Sequence, residues 1–230
     1  MYTCGSCTKQ SCMTEDLTGA PKNCPCRDKE LQAESRAKYE PEEIKKIALQ
    51  SCKTESEGYC RRTRIEEIME FAENMGYKKL GVAHCVGFVK EAGLLSKIFK
   101  ANGFEVDTVC CKCATTSKEI MGMKQWQINP VYEGMCNPIG QAMALEKAGS
   151  ELAIIVGLCV GHDTLFIKHC NLPVTYLVVK DRVTGHNPVA PLYLSEPGGY
   201  YHRRLYPPTR LRGVIGERWT DLLEGIDKEK

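Results

Sequence analysis

The chain has 230 residues, 43% hydrophobic and 26% charged, a composition typical of a globular protein that can bury a sizeable core. Its 31 Lys and Arg residues nearly balance 29 Asp and Glu residues, which gives a net charge of +2. This balance excludes the strongly basic surface that binds a nucleic-acid backbone or an anionic membrane. The longest apolar run, Leu152–Val156, is far shorter than the ~20 residues that cross a bilayer. With no signal-peptide layout at the start, we expect a cytoplasmic protein.

The first 36 residues are polar and rich in turn-forming residues. Five cysteines lie among them: Cys4, Cys7, Cys12, Cys24 and Cys26. Because this segment has almost no apolar side chains to bury, it needs a bound metal, or packing on the rest of the chain, to be ordered. The spacing matches neither of the common ferredoxin patterns, so zinc and an iron–sulfur cluster both stay open. The sequence predicts a small cysteine-rich metal-binding module over residues 1–36.

The middle of the chain, residues 37–193, alternates between helix and strand patterns. One predicted helix starts at Pro41. The other predicted helices cover Thr63–Met75, Val89–Asn102, Pro138–Lys147 and Asp163–His169. The predicted strands cover Leu80–Ala83, Phe104–Cys110, Leu152–Val156 and Val174–Val179. Strands separated by helices of this length predict an α/β domain, a mostly parallel sheet with flanking helices in a Rossmann-like three-layer arrangement. Residues 194–230 are predicted to form a C-terminal arm with a final short helix near Glu217–Ile226.

The chain contains 14 cysteines, an unusual number for a protein that can make its own core. A cytoplasmic location predicts reduced thiols, and reduced thiols at this density usually bind metal or take part in redox chemistry. Structural disulfides remain as an alternative, mainly for a hyperthermophile.

Four cysteines lie where the predicted strands end or a helix begins: Cys85, Cys111, Cys136 and Cys159. Because the carboxyl ends of parallel strands meet at one edge of a sheet, we expect these thiols to converge where such folds bind ligands. Cys110 and Cys113 compete with Cys111 for one position. Ordinary burial of small cysteine side chains is the alternative.

Sites rich in thiolates select zinc, Cu(I) or iron–sulfur clusters. Structural zinc usually takes paired cysteines at short spacing, whereas here single cysteines come from separate elements. We therefore expect an iron–sulfur cluster at this edge, of the [4Fe–4S] type. The sequence leaves open whether three or four cysteines hold it.

Polar residues near the same edge are further candidates. The stretch Gly157–Asp163 predicts a glycine loop that leads into a helix, and the backbone at Gly157 and Gly161 is suited to hold an anion or a cluster sulfide. We predict that Lys112 offsets the negative charge of a thiolate-bound cluster. His162 is the candidate catalytic proton donor, with an ordinary loop hydrogen bond as the alternative.

Three motifs resemble the signatures of a prokaryotic family called domain of unknown function 1847: Cys136–Ile139, Gly157–Asp163 and Lys180–Pro188. The resemblance spans about residues 4–193. Members of that family are described only as cysteine-rich proteins expected to bind metal. The resemblance implies the same four ligand positions, Cys85, Cys111, Cys136 and Cys159, and implies no particular reaction.

The sequence therefore predicts an iron–sulfur protein of anaerobic metabolism and leaves open whether it is an enzyme. As an enzyme, it would use the cluster for desulfuration, dehydration or reduction of a small molecule. An electron-transfer partner and a homodimer are further candidates. The alternative is a non-catalytic protein in which zinc stabilises the N-terminal segment and the remaining thiols sense redox state or metal.

Overall fold

The computed structural model describes residues 1–14 and 16–205. The chain forms two compact units that divide between Tyr77 and Lys78. The helix predicted near Glu217–Ile226 lies outside the described residues. The division into residues 1–36, 37–193 and 194–230 stays a prediction.

The first unit contains three helices: α1 (Lys29–Ala37), α2 (Glu42–Gly58) and α3 (Arg64–Met75). α2 and α3 pack against each other. The α3 helix begins at a capping box, in which the Thr63 side chain accepts from the Glu66 N–H and the Glu66 carboxylate accepts from the Thr63 N–H. It ends at Gly76, whose φ of +81° is readily adopted only without a side chain. Both ends agree with the sequence prediction.

The α1 helix was not predicted from the sequence. It buries none of its residues, and Leu31 is its only large apolar side chain, which is too few to indicate a helix from the sequence. Its local signal is the Asp28 side chain, which accepts a hydrogen bond of 3.0 Å from the Leu31 N–H at the helix start.

The second unit is built on a four-stranded parallel sheet with flanking helices, which confirms the predicted α/β class. Its strands are β1 (Lys79–His84), β2 (Glu105–Cys110), β3 (Leu152–Val156) and β4 (Val174–Val178). Its helices are α4 (Val89–Ala101), α5 (Pro138–Lys147), α6 (His162–His169), α7 (Ala190–Tyr193) and α8 (His202–Leu205). No helix among the described residues is long and apolar enough to cross a membrane.

The strand order is β2-β1-β3-β4, so the chain moves one way from β1 to β2 and the other way from β2 to β3. Right-handed crossovers then place α4 on one face of the sheet and α5 and α6 on the other. The central strands β1 and β3 are almost completely buried. The largest core side chains on the helices are Phe99, Leu145 and Phe166.

The order also creates a switch point between β1 and β3, where the connections leave in opposite directions. In open parallel sheets, ligands bind in the crevice outside the carboxyl ends of strands at such a point. His84, the last residue of β1, is in register with Cys110 of β2 and with Val156 of β3. The next residues along the three strands, Cys85, Cys111 and Gly157, therefore lie at the same level of one edge.

A close contact between Gly157 and the ring of Phe88 fixes the end of β3. Gly157 has φ of +64°, and a Cβ built on it would lie 2.2 Å from the ring of Phe88. Only glycine allows both the left-handed backbone and the contact with this ring. The glycine that the sequence suggested for anion binding therefore has a packing role.

Gly157→Ala should destabilise the protein by roughly 2–5 kcal/mol, the sum of a left-handed alanine and an overpacked contact. Gly149→Ala is the matched control, because Gly149 has φ of +78° and nothing within 4 Å of a built Cβ. Its cost should be limited to about 1–2 kcal/mol for the backbone alone. Urea unfolding followed by circular dichroism measures the difference; equal costs would contradict the packing role.

Candidate functional site

Three cysteine thiols meet at the carboxyl edge of the sheet, and we call them the thiol cluster: Cys85, Cys111 and Cys136. The first two follow β1 and β2 directly, and both are buried, with 7% and 2% of their surface exposed. Cys136 lies in the segment just before α5. The sulfur atoms of Cys111 and Cys136 lie 3.7 Å apart, and Cys85 shares a hydrogen bond with Cys111. The structure thus brings together three of the four cysteines predicted for this edge.

The segment 112–135 leaves the sheet edge after Cys111 and returns at Cys136. Its two ends are held together, because the ammonium group of Lys112 donates to the carbonyl oxygen of Gly134. Lys112, predicted to offset cluster charge, therefore also closes the base of this segment. The closure holds two members of the thiol cluster close to each other.

Asn137 ties the same base to α5. Its side-chain oxygen caps the helix by accepting from the Gly140 N–H at 2.9 Å. Its amide group donates to the carbonyl oxygens of Cys113 and Ala114, at 3.3 and 3.1 Å. Its backbone N–H donates to the carbonyl oxygen of Cys111 at 2.8 Å. One side chain thus links the turn after β2 to the start of the helix that follows Cys136.

The three thiols of the cluster differ in pKa. Interaction with Cys136 and Cys85, together with burial, raises the pKa of Cys111, so this thiol keeps its proton. Hydrogen bonding with Cys111 and with the Lys180 ammonium lowers the pKa of Cys85 to about 4. Hydrogen bonding with Cys111 and His162 likewise lowers the pKa of Cys136 to about 4. The proton is therefore held most strongly at Cys111, and negative charge is favoured at Cys85 and Cys136.

Lys180 follows β4 and balances part of this negative charge. Its ammonium nitrogen lies 2.7 Å from the sulfur of Cys85 and 5.4 Å from the centre of the Phe88 ring. A cation that contacts both a thiolate and an aromatic face is held in place by both. The position of Lys180 at the end of a strand was the available signal.

Cys159, the fourth cysteine predicted for this edge, has a different partner. Its sulfur lies 3.1 Å from a guanidinium nitrogen of Arg182. His162 connects the two regions, since its N–H donates to the Cys159 carbonyl at 2.9 Å and its ring contacts Cys136. The predicted proton donor thus lies beside the cluster.

The glycine loop after β3 uses its backbone groups internally. The Gly157 N–H donates to the Val178 carbonyl at 2.9 Å, and the Gly161 N–H donates to the Asp163 carboxylate at 3.0 Å. These two N–H groups, which the sequence suggested for an anion or sulfide, therefore already have partners.

Cys110 and Cys113 flank the buried Cys111, and both are partly exposed. Burial and the charge of nearby Cys110 raise the pKa of Cys113. The two thiols are therefore neighbours in space as well as in sequence.

The five N-terminal cysteines line a single open pocket of about 350 Å³. A hydrogen bond with Cys24, with the charges of Cys12 and Cys4 adding to it, raises the pKa of Cys26. In the described residues before Lys38, Ala20 is the only buried side chain. Polar contacts supplement it, such as that of the Arg27 guanidinium with the Ala20 carbonyl at 3.0 Å. The predicted module is thus a turn-rich segment with its thiols around one opening.

Cysteine sulfur is a suitable ligand for a thiophilic metal, but the cysteine side chains are not arranged around a common metal position. In the part of the chain that the structure describes, no group of three or more His, Cys, Asp or Glu side chains is arranged to hold a metal ion. The members of the thiol cluster contact one another, Lys180 and His162 instead. All nine predicted ligands therefore stay predictions.

The fold and the site together define a class: α/β proteins with cysteine thiols gathered at the switch point of a parallel sheet. The chain belongs to the family described as "Protein of unknown function (DUF1847)", whose sequence profile matches residues 24–177. It is also similar to the uncharacterized protein MJ0455 of Methanocaldococcus jannaschii, with 42% identity over 203 residues. These residues are 88% of this chain and 97% of that relative. The predicted family is thereby confirmed.

Asn137→Ala should lower the free energy of unfolding by about 2–3 kcal/mol, because it removes a helix cap and two further hydrogen bonds. Asn102→Ala is the control, since the exposed Asn102 amide donates only to the Ile98 carbonyl at 2.8 Å, and it should cost below about 1 kcal/mol. Urea unfolding measures both. Similar small losses for the two variants would show that Asn137 does not hold the segment 112–135 in place.

Proposed function

We propose that this protein is an iron–sulfur protein whose principal centre is held by Cys85, Cys111 and Cys136. The observation that supports this most is the convergence of three buried or half-buried thiols, from three separate segments, at the switch point of a parallel sheet. A ligand-binding crevice is expected at that place in this fold. Thiolates in such a number select iron–sulfur clusters, zinc or Cu(I).

The charge distribution supports a bound cation. Negative charge is favoured at Cys85 and Cys136, and proton sharing with Cys111 and the nearby Lys180 ammonium stabilise it. A metal centre would replace the shared proton of Cys111, because the ligand form of cysteine is the thiolate. Lys180 would remain near Cys85 and reduce the net negative charge.

The surroundings favour a cluster over a single ion. The Val86 N–H points at the sulfur of Cys111, 3.3 Å away, and the Gly87 backbone also hydrogen-bonds Cys85. Backbone donors to cysteine sulfur are one of the means by which proteins set the potential of iron–sulfur clusters. The N-terminal pocket, of about 350 Å³, is lined by five further cysteines. We propose that it holds a second centre.

The position of Cys159 is consistent with a centre that has three cysteine ligands. Its sulfur is engaged by Arg182, so we propose that it is a neighbour of the centre rather than a ligand. Three protein ligands would leave one iron open to act as a Lewis acid towards a small molecule. His162, in contact with Cys136, is the group that we propose to hold a proton beside that position. Desulfuration, dehydration and reduction are the reactions that such a site suits.

Zinc is the second candidate, and one distance favours it. Two sulfur ligands of a tetrahedral zinc, each at about 2.3 Å, stand ~3.8 Å apart. The 3.7 Å between Cys111 and Cys136 is close to that edge length. A cluster would need the two sulfurs to spread, because each would bind a different iron. The protein would then be a zinc-stabilised redox or metal sensor.

Protein purified without oxygen should be brown and contain iron together with acid-labile sulfide. The reason is that three convergent thiols with backbone donors match what a cluster requires. Elemental analysis and electron paramagnetic resonance of the reduced sample are the measurements. Colourless protein that contains only zinc after the same preparation would overturn the iron–sulfur proposal in favour of the second candidate.

Cys136→Ser should remove the edge centre and leave secondary structure intact, since serine is nearly isosteric but a much poorer ligand for iron. Cys52→Ser is the matched control, because Cys52 is an exposed thiol of α2. Cys159→Ser should keep its iron if the centre has three protein ligands. Iron per chain and circular dichroism report the results, and loss of iron in Cys159→Ser but not in Cys136→Ser would contradict this assignment.

A further inference from the structure

Cys110 and Cys113 have no part in the proposed metal centre, and they lie at the two ends of one turn. They are the first and fourth residues of a turn at the end of β2, closed by a hydrogen bond of 2.9 Å from the Cys113 N–H to the Cys110 carbonyl. In a turn of this kind the first and fourth Cα atoms lie within about 7 Å. Disulfides join residues with Cα atoms roughly 4.4–6.8 Å apart, so the turn brings the two backbones close to the spacing that a disulfide needs.

The turn is also held in place. The Cys111 N–H donates to the His84 carbonyl at 2.8 Å, which fixes the turn to the end of β1. On its other side, the carbonyl of Cys113 accepts from the Asn137 amide. Both flanking thiols are partly exposed whereas Cys111 is buried. A disulfide-forming pair needs this combination of a fixed backbone and access for a reaction partner.

The geometry points to a dithiol–disulfide exchange site formed by Cys110 and Cys113, which acts on disulfide substrates and is distinct from the metal ligands. The Cys-x-x-Cys spacing is the one that redox-active dithiols commonly use. This function does not depend on the metal centre, because neither sulfur belongs to the thiol cluster.

The exchange balances in two steps. The thiolate of one cysteine attacks a sulfur of the substrate R–S–S–R, which forms a mixed disulfide and releases the first RS⁻. The thiolate of the other cysteine then attacks the protein sulfur of that mixed disulfide, which closes the bond between Cys110 and Cys113 and releases the second RS⁻. The substrate gains two electrons and the cysteine pair loses two. The two protons lost by the cysteines end on the two released thiols.

The test uses the reduced full-length protein, without oxygen, in glutathione buffers of increasing oxidised fraction. Free thiols are blocked at low pH, and the protein is digested with trypsin. Because Lys112 stands between the two cysteines, the digest places Cys110 in peptide 101–112 and Cys113 in peptide 113–118. A disulfide therefore appears as a reversible cross-link between these peptides, and fragmentation spectra show whether residue 110 or 111 is bonded.

We expect the wild-type cross-link to form with release of two reduced glutathione molecules per bond and to disappear on treatment with dithiothreitol. Cys110→Ser and Cys113→Ser should each lose the cross-link and keep the metal content of the wild type, whereas Cys52→Ser should retain both. A cross-link that persists in Cys110→Ser would assign the bond to Cys111 and overturn the proposal, as would its absence in the wild type at every glutathione ratio. Failure of the metal proposal changes only the metal content, so the two outcomes are separable.

Discussion

The parallel pairing of β1 with both of its neighbours is the constraint on which the candidate site depends. With His84 in register with Cys110 and Val156, the residues that follow the three strands must emerge at one level. Two buried thiols, Cys85 and Cys111, therefore become neighbours without any direct link along the chain. A shift of β2 by one residue would turn its side chains to the opposite face and separate them.

The third thiol depends on a different kind of constraint. Cys136 lies at the far end of the segment 112–135, and only the contacts at the base of that segment return it to Cys111. Asn137 makes several of these contacts while it caps α5, so helix formation and assembly of the thiol cluster are coupled. The conformational-entropy cost of ordering the segment 112–135 is thus offset by hydrogen bonds that also position Cys136.

Much of the fold could be predicted because its signals are local. The capping box at Thr63, the glycine at Gly76 and the continuous apolar run Leu152–Val156 each indicate their element within a few residues. The α1 helix was missed because it buries no side chain and has a single large apolar residue, Leu31. The site was predicted in part: strand-end positions indicated Cys85 and Cys111, but no pattern distinguished the sulfur of Cys159, held by Arg182, from those that contact one another.

The sequence by itself determined the α/β class, the positions of the strands, the capped helix ends and the gathering of cysteines at strand ends, because these follow from periodicity and from neighbours a few residues apart. Only the tertiary structure decided which charges the thiols meet. Lys180 contacts the sulfur of Cys85 across 95 residues of chain, and the Cys111 and Cys136 sulfurs meet across 25. Strand order and register set such distances, and both depend on packing of the whole sheet rather than on any local segment.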